Sequence, residues 1–368
     1  MSITEKIDIR FPKTLADALR LQASGKTRGK LLAGGTDLMV QWASGVPVPE
    51  RATSLWDLPG LCEIEIRDDD ILVGSGVTHA FLVEAKPIHR HLPALIAAAR
   101  TVGAAQIQAR GTLGGNAANA SPAGDTAPAL LVTGGSVLLA SLAGTREVPL
   151  DRFWTGYRQI DARPDEIILA FRLPKKGTDK ERFRKIGTRK AQAISKVMAA
   201  SRIRVQNGVI QSAAIALGSI APTPVRLAEV EAFLAGKKLT PRLINEAEKL
   251  AQNTVKPIAD IRSSAEYRPG SPAASSAMPS KICKPKGAGR IRNSVHPNGG
   301  VAVIPSGLVR RSLARRRSRG ISARSRRPAI GIVPRSRGGG TSDFDSGTSR
   351  AVDGSWLVGL RTTPLLEN

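Results

Sequence analysis

A run of small and polar residues between two apolar segments constrains this chain more than any other feature. Residues 110–125 read Arg-Gly-Thr-Leu-Gly-Gly-Asn-Ala-Ala-Asn-Ala-Ser-Pro-Ala-Gly-Asp, between helical patterns at 92–102 and 127–132. This run, the second loop below, is too polar and too rich in glycine for a core. Gly114 and Gly115 can adopt positive φ and let a ligand approach the backbone. Successive N–H groups in such a loop form a concavity that suits an anion.

The polar side chains of the second loop indicate which ligand it would take. Asn116, Asn119 and Ser121 are short hydrogen-bonding residues, and Asp125 precedes a helix start. Because a carboxylate would repel a phosphate, we expect Asp125 to accept a hydrogen bond from a ligand hydroxyl, as on a ribose. The run therefore predicts a pocket for a nucleotide with a diphosphate and a sugar. A surface turn would explain Gly-Gly-Asn alone, but it does not need so many small polar residues.

A second candidate loop lies nearer to the N-terminus. Residues 30–33 predict a short buried strand, residues 34–37 (Gly-Gly-Thr-Asp, the first loop below) a tight turn, and residues 38–42 a helical turn. A strand, a glycine loop and a helix N-terminus bind phosphate through backbone N–H groups and the helix dipole. Two loops with different sequences indicate one ligand that is held from two sides.

Two common nucleotide motifs are excluded. Residues 25–27 resemble the end of a P-loop, but Arg20 stands in the place of its first glycine. Residues 74–76 follow a strand, but His79 stands where a Rossmann fingerprint needs its third glycine. The simpler interpretation is a strand end followed by a helix that Thr78 caps.

Metal and hydrolytic sites have little support. The four histidines are scattered: His79, His89, His91 and His296. His89 and His91 fall on different faces of a helix and have no carboxylate or thiol at ligand spacing, so we interpret them as surface residues. Two cysteines, Cys62 and Cys283, are too few for a disulfide framework or a four-thiolate metal site. The motifs of serine hydrolases and zinc proteases are missing from the sequence.

The charge separates the C-terminal part from the rest of the chain. The 368 residues carry a net charge of +25. Residues 269–368 hold 18 Lys and Arg against 4 Asp and Glu, whereas residues 1–268 hold 37 against 26. No apolar run approaches the roughly 20 residues of a membrane helix, and the start lacks a leader pattern. We therefore expect a cytoplasmic protein without a membrane segment.

The element pattern predicts an α+β fold with two domains. Residues 1–175 alternate strands and short helices in one block. Residues 180–268 begin with a strand and continue with a hairpin whose turn is Asn207-Gly208. Thr240-Pro241 then opens a helix, as an N-cap followed by proline at the first helical position. We expect a three-stranded sheet with helices on one face.

The two loops resemble those of the FAD-binding subunits of the molybdenum hydroxylases, a family that includes the medium subunits of xanthine dehydrogenase, carbon monoxide dehydrogenase and hydroxybenzoyl-CoA reductase. Further matches follow in the family's order, at residues 102–107, 165–168, 183–190 and 215–226. The resemblance covers roughly residues 3–268, and the second loop is its most specific part. It implies a two-lobed FAD-binding domain of the PCMH or vanillyl-alcohol-oxidase type at 1–175, and a flavoprotein C-terminal domain at 180–268.

The resemblance also implies a cofactor site. The FAD diphosphate would lie on N–H groups near Gly34-Gly35 and Gly114-Gly115, and Lys185 would lie near the isoalloxazine, where a cation stabilises the reduced anionic flavin. From the sequence alone, a solvated lysine on an exposed strand face explains Lys185 equally well. The implied cofactor-binding residues are Leu32, Ala33, Gly34, Gly35, Thr36, Asp37, Leu38, Val102, Gly103, Thr112, Leu113, Gly114, Gly115, Asn116, Asn119, Ser121, Asp125, Ile168 and Lys185. No catalytic or metal-binding residue is implied in this chain.

The family further implies partner chains. Electrons would arrive from a 2Fe-2S small subunit that a molybdopterin large subunit reduces, and FAD would pass them to NAD, a quinone or another acceptor. Two cysteines cannot hold a cluster here. The expected assembly is a heterotrimer that dimerises. Two alternatives are a stand-alone FAD oxidase of the same superfold, for which a substrate domain is not found, and a nucleic-acid-binding protein that acts through its C-terminal part.

Residues 269–368 are rich in Arg, Ser, Gly and Pro and show no amphipathic face, so we expect a disordered basic tail. Residues 260–268 resemble a family phrase that introduces a last helix, but Pro269-Gly-Ser-Pro272 prevents one. An Arg/Ser arm for RNA and a basic surface for an acidic partner are possible roles. We favour an out-of-frame extension over either of them, and do not favour nucleic acid as a partner.

Overall fold

The first block opens with a small parallel sheet. A computed structural model describes residues 7–175, 177–189 and 192–254, together with two short strands nearer to the C-terminus, all in one compact unit. The first elements are β1 (Asp8–Arg10), α1 (Leu15–Ala23), β2 (Lys30–Leu32), α2 (Leu38–Ala43) and β3 (Arg51–Ser54). The sheet order is β1-β3-β2. Thr14 Oγ1 caps α1 by accepting a hydrogen bond from the Asp17 N–H at 3.1 Å. The predicted strand, loop and helix at 30–42 are confirmed.

An antiparallel sheet forms the second lobe of this block. Its strands are β4 (Ile64–Ile66), β5 (Asp70–Gly74), β6 (Ser136–Ser141), β7 (Gly144–Pro149) and β10 (Ile167–Pro174), in the order β4-β5-β10-β6-β7. The helices are α3 (His79–Glu84), α4 (Pro93–Ala99), α5 (Ala105–Arg110), α6 (Leu113–Ala118), α7 (Ala127–Leu131) and α8 (Leu150–Phe153), with a 3-10 turn at Lys86–Ile88. A small hairpin of β8 (Trp154–Gly156) and β9 (Gln159–Ile160) follows α8. This two-lobed α+β block agrees with the predicted fold class.

The second block is a four-stranded sheet with two helices. Its elements are β11 (Lys180–Gly187), β12 (Ser195–Gln206), β13 (Val209–Gly218), β14 (Val225–Arg226), α9 (Ala228–Leu234) and α10 (Pro241–Thr254). Asn207 and Gly208 have φ of 51° and 77°, as a tight hairpin turn with left-handed residues requires. The prediction of three strands was wrong. After Pro222 and Pro224 the chain returns to the sheet, and Arg226 pairs with Ala216.

Two main cores lie in the two blocks, and the larger one also includes Ala200 and Ala216 of the second sheet. The larger cluster of buried residues is aliphatic and fills the space between the antiparallel sheet and its helices, with Phe153 and Phe171 fully buried. A second cluster lies between β12, β13 and helices α9 and α10. A third, small cluster joins α1 to the antiparallel sheet through residues such as Leu19 and Ile167. Among the described residues, no helix is long and apolar enough to cross a membrane.

The tail differs from the expectation at two places. Strands β15 (Ile332–Pro334) and β16 (Trp356–Val358) pair with each other, and β16 pairs with β4. The edge of β4 offers unpaired backbone groups, and the two segments are rich in residues that favour strands. The expected disorder of the rest of 269–368, and its origin, concern residues outside those that the structure describes.

Candidate functional site

The two predicted loops lie against each other. A Cβ atom at Gly34 would lie 1.7 Å from the carbonyl oxygen of Arg110, so only glycine fits at this position. On the side of α2, Gln41 Nε2 donates a hydrogen bond to Asn119 Oδ1 at 3.3 Å. The chain thus brings together the first loop (residues 34–37) and the second loop (residues 110–125), as the sequence predicted.

The first loop offers unused hydrogen-bond donors. The backbone N–H groups of Gly34, Gly35, Thr36 and Asp37 have no acceptor within the part of the chain that the structure describes. Gly35 has a φ of 72°, which favours glycine. The Asp37 carboxylate is held by Gln41 Nε2. The flanking predicted residues are half-buried: Leu32, Ala33 and Leu38. Four consecutive free amides form the kind of concavity that binds an anion.

The second loop is not open, and here the sequence prediction was wrong. Its centre is α6, which Thr112 caps. Gly114 and Gly115 are helical and lack positive φ. The Gly114 N–H donates to the Ser75 carbonyl at 2.8 Å and the Gly115 N–H to Thr112 Oγ1 at 3.0 Å. These two amides therefore already have acceptors within the chain. Glycine at 114 serves packing instead, since a Cβ atom there would lie 2.5 Å from Ser75 Cβ.

Part of the second loop is also core, contrary to the expectation. Thr112, Leu113 and Ala117 are buried. The indole Nε1 of Trp154 donates to the Ala117 carbonyl at 3.1 Å, and Thr112 forms a β-bridge with Thr78. These long-range contacts bury a segment whose composition alone indicated exposure.

The remaining polar residues of the second loop are half-buried and ordered by local bonds. Asn116 Oδ1 accepts from Thr126 Oγ1 at 2.6 Å, which leaves the amide nitrogen of Asn116 without a partner among the residues described. Ser121 Oγ accepts from the Ala123 N–H at 3.3 Å. Asn116 and Ser121 therefore keep donors that a ligand could use.

Asp125 and Lys185 form an ion pair between the two blocks. Lys185 Nζ lies 2.6 Å from Asp125 Oδ2, and also donates to the Thr101 carbonyl at 2.9 Å. Asp125 Oδ1 accepts from Ser195 Oγ at 2.7 Å. Burial raises the pKa of the Asp125 carboxyl above its ordinary value, and the Lys185 ammonium opposes that rise. A ligand hydroxyl would have to share one of these oxygens, and Lys185 is not the solvated lysine of the alternative interpretation.

A cavity of about 710 Å³ lies beside this ion pair. Its wall runs from the end of α4 to β11 and the following turn, and it includes Gly103 and Lys185. Arg100, Arg184 and Arg189 also line it, and its described lining includes no acidic side chain. The cavity therefore suits a large ligand with a negative charge or with electron-rich edges.

Two predicted residues lie at the margins of this region. Val102 is half-buried and precedes Gly103, whose φ is 52°. Ile168 lies on β10 and packs against the larger core. The carbonyl of the next residue, Leu169, accepts from the Ser75 N–H at 2.9 Å, and Ser75 in turn holds Gly114. The structure thus connects Ile168 to the second loop through the backbone.

Sequence reasoning missed four residues that the fold places at this site: Gln41, His79, Arg158 and Ser195. Gln41 follows Asp37 by four residues on a helix, a spacing that predicts contact. Ser195 and Arg158 carried no signal, because strand pairing and a turn bring them to the loops.

His79 is the exception among the histidines. It is 1% exposed, its Nδ1 has no partner among the described residues, and burial lowers its pKa to about 4. A Cβ atom at Gly111 would lie 3.2 Å from the His79 ring and 3.4 Å from Thr36 Oγ1. His79 is therefore a neutral ring at the crossing of the two loops. His89 and His91 are half-buried rather than on the surface.

Comparisons with known proteins place this chain in a family. Residues 5–176 match the FAD binding domain in molybdopterin dehydrogenase, and residues 182–271 match the CO dehydrogenase flavoprotein C-terminal domain. A xanthine dehydrogenase FAD-binding subunit of Escherichia coli O157:H7 is 32% identical over 69% of this chain and 88% of its own length. The chain belongs to the family of FAD-binding subunits of molybdopterin dehydrogenases.

Other members of this family are similar along the same part of the chain. The nicotine 6-hydroxylase medium subunit of Paenarthrobacter nicotinovorans is 30% identical to this FAD-binding subunit over 70% of the chain and 90% of its own. A solved structure of reconstituted CO dehydrogenase from Oligotropha carboxidovorans superposes with a TM-score of 0.68 at 29% identity, and covers 72% of this chain and 92% of that one. The likeness thus extends over both blocks.

Proposed function

We propose that this chain binds FAD between its two loops and serves as the electron-transfer subunit of a molybdenum-containing hydroxylase or dehydrogenase. One observation carries the proposal: the four free amides of residues 34–37 face no acceptor among the described residues, beside a second loop that meets the cationic cavity at Lys185. In this proposal residues 1–175 form the FAD-binding domain and residues 180–268 the domain that covers the cofactor. The tail is not needed.

The residues present fit this cofactor. The amides of the first loop would hold the diphosphate, and the free amide nitrogen of Asn116 and the hydroxyl of Ser121 would donate to sugar or ribityl oxygens. FAD, when bound, supplies the transfer of one or two electrons that side chains cannot perform. Lys185 places a positive charge at the cavity wall, and Asp125 and the Thr101 carbonyl fix the position of that charge. A fixed cation favours negative charge that develops next to it.

Partner chains complete the proposed function. The similar proteins are named as medium subunits or medium chains, which indicates that other subunits exist in those complexes. We propose that a 2Fe-2S small subunit delivers electrons to this chain, and that a molybdopterin large subunit selects and oxidises the substrate. NAD, a quinone or another acceptor would then receive the electrons. We further propose a heterotrimer that dimerises in the cytoplasm.

The test is the visible absorption spectrum of the full-length chain with and without added FAD. We expect retained peaks near ~370 and ~450 nm, as a bound oxidised flavin gives. Gly34→Ala should abolish them, because its Cβ would strike the Arg110 carbonyl at 1.7 Å. Gly25→Ala is the matched control, since a Cβ there meets nothing within 4 Å. A folded chain that stays colourless with excess FAD would contradict the proposal.

A further inference from the structure

An arginine at the tip of the β8–β9 hairpin reaches the second loop. Arg158 is exposed and has a φ of 54°, a left-handed conformation that is uncommon outside glycine. Its Nη1 donates a hydrogen bond to Asn119 Oδ1 at 3.1 Å. The turn therefore presents a charged side chain at the edge of the proposed FAD site, although neighbouring sequence gives no sign of it.

Asn119 connects this arginine to the first loop. The same Asn119 Oδ1 accepts from Gln41 Nε2, and Gln41 also holds the Asp37 carboxylate. Four side chains thus form one polar chain from the hairpin turn, across the second loop and α2, to the first loop. Arg158 is the only one of the four with a positive charge.

Among the residues that the structure describes, Arg158 is a cation beside the second loop that no carboxylate holds, and its guanidinium lies 6.0 Å from the centre of the Tyr157 ring. A diphosphate brings negative charge that backbone amides bind but do not neutralise, and Asp37 adds more. Lys185 is paired with Asp125, and the guanidinium of Arg110 lies 3.7 Å from the centre of the Trp56 ring. Arg158 forms no ion pair with any carboxylate that the structure describes. An arginine can donate several hydrogen bonds to phosphate oxygens in one geometry.

We propose that Arg158 is a cofactor-binding residue that offsets the charge of the FAD diphosphate, and that Asn119 and Gln41 position it. This inference rests on the proposed function, because it assumes that the two loops hold a dinucleotide. It predicts an electrostatic role that a residue with a purely structural bond to Asn119 would not have.

The experiment measures the dissociation constants of FAD and of riboflavin for the full-length chain by flavin fluorescence, over a range of KCl concentrations. Arg158→Ala should weaken FAD binding by about tenfold to hundredfold, the effect of one charge-assisted hydrogen bond. Its FAD affinity should fall less steeply with salt than that of the unsubstituted chain. Riboflavin has no phosphate, so its dissociation constant should not change. Arg158→Lys should restore part of the affinity.

Arg152→Ala is the matched control. Arg152 is an exposed arginine of α8, and its loss removes the same charge from the chain. Unspecific attraction of FAD to the basic tail is equal in all variants and cancels in the comparison. Equal FAD affinity and salt dependence in Arg158→Ala and Arg152→Ala would overturn the inference, as would an equal loss of riboflavin and FAD binding. An unsubstituted chain that binds no FAD would overturn the proposed function itself.

Discussion

Two ion pairs of the described residues lie where the blocks meet, and they differ in their surroundings: Arg202–Glu181 lies within the second block, whereas Lys185–Asp125 joins the two blocks. Arg202 and Glu181 are each 3% exposed. Arg202 donates to the carbonyl of Thr133 at 3.1 Å, and the Ala94 N–H donates to Glu181 at 3.0 Å. Lys185 and Asp125 are 10% and 9% exposed, respectively, and Lys185 lines the cavity. The first pair is enclosed by backbone of the first block, whereas the second borders open space.

We infer from this difference that the first pair has a structural role and that the second has a role in the proposed cofactor site. Arg202 and Glu181 direct their hydrogen bonds to each other and to backbone groups, so this pair fixes how the second sheet meets α4 and α7. Lys185 instead places its charged atom at the wall of the cavity beside which we propose that FAD binds. Burial raises the pKa of both acids, Glu181 and Asp125, while the neighbouring cation opposes the rise. The two acids therefore respond to burial in the same way. The pairs differ in the exposure of the cation, which is 3% for Arg202 and 10% for Lys185.

The largest effect should come from the enclosed pair. Arg202→Ala leaves the buried Glu181 without its counter-charge and the carbonyls of Thr133 and His91 without the Arg202 donor. We expect a loss of about 3–5 kcal/mol in the free energy of unfolding. Urea denaturation at neutral pH measures this loss. The double variant Arg202→Met with Glu181→Leu removes both charges and should cost less. A loss below about 1 kcal/mol for Arg202→Ala would remove the distinction between the two pairs.

His79 contrasts with both ion pairs, because this buried titratable group has no counter-charge among the described residues. Its folded pKa is about 4, against an ordinary value of 6.5. The unfolded chain therefore binds a proton below about pH 6.5 that the folded chain refuses. The free energy of unfolding should fall as the pH drops from about 6.5 to about 4, by roughly 3 kcal/mol in total.

Unfolding measured at several pH values checks this expectation in the variant His79→Phe. The variant should lose most of the slope between pH 6.5 and pH 4, whatever its stability at neutral pH. His89→Phe, which changes a half-buried ring, is the control and should keep the slope. An unchanged slope in His79→Phe would show that other groups cause it.

Local chemistry made much of the fold predictable. The cap at Thr14, the turn at Asn207-Gly208 and the start of α10 after Thr240 each follow from two or three neighbouring residues, and all three occur as predicted. A short apolar run likewise predicted the strand that precedes the first loop. The predicted meeting of the two loops also agrees with the structure.

The failures lie where distant contacts override local composition. The second loop contains a helix because Trp154 and Thr78 bind its backbone from outside, and tertiary contacts outweigh weak propensities. Gly114, one of the two glycines that were expected to face a ligand, instead lets the helix pack on Ser75. The Asp125–Lys185 pair joins residues on different blocks, and no local pattern reports such a pairing.

Lys185→Met should cause the smallest loss of stability. It should also change the redox potential of the bound flavin, which tests the proposed function more directly. Asp125 keeps its bond to Ser195 at 2.7 Å, and it can take up a proton because burial already raises its pKa. We therefore expect a loss of only about 1–2 kcal/mol in the free energy of unfolding.

The bound flavin should lose a fixed cation, and its midpoint potential should fall by about 30 mV, which corresponds to about 1.4 kcal/mol for a two-electron change. Spectroscopic redox titration measures the potential, and Lys196→Met on β12 is the control. The proposal for Lys185 would be contradicted if the midpoint potential stayed constant while the free energy of unfolding fell as far as in Arg202→Ala. The charge of Lys185 would then stabilise the fold and would not act on the flavin.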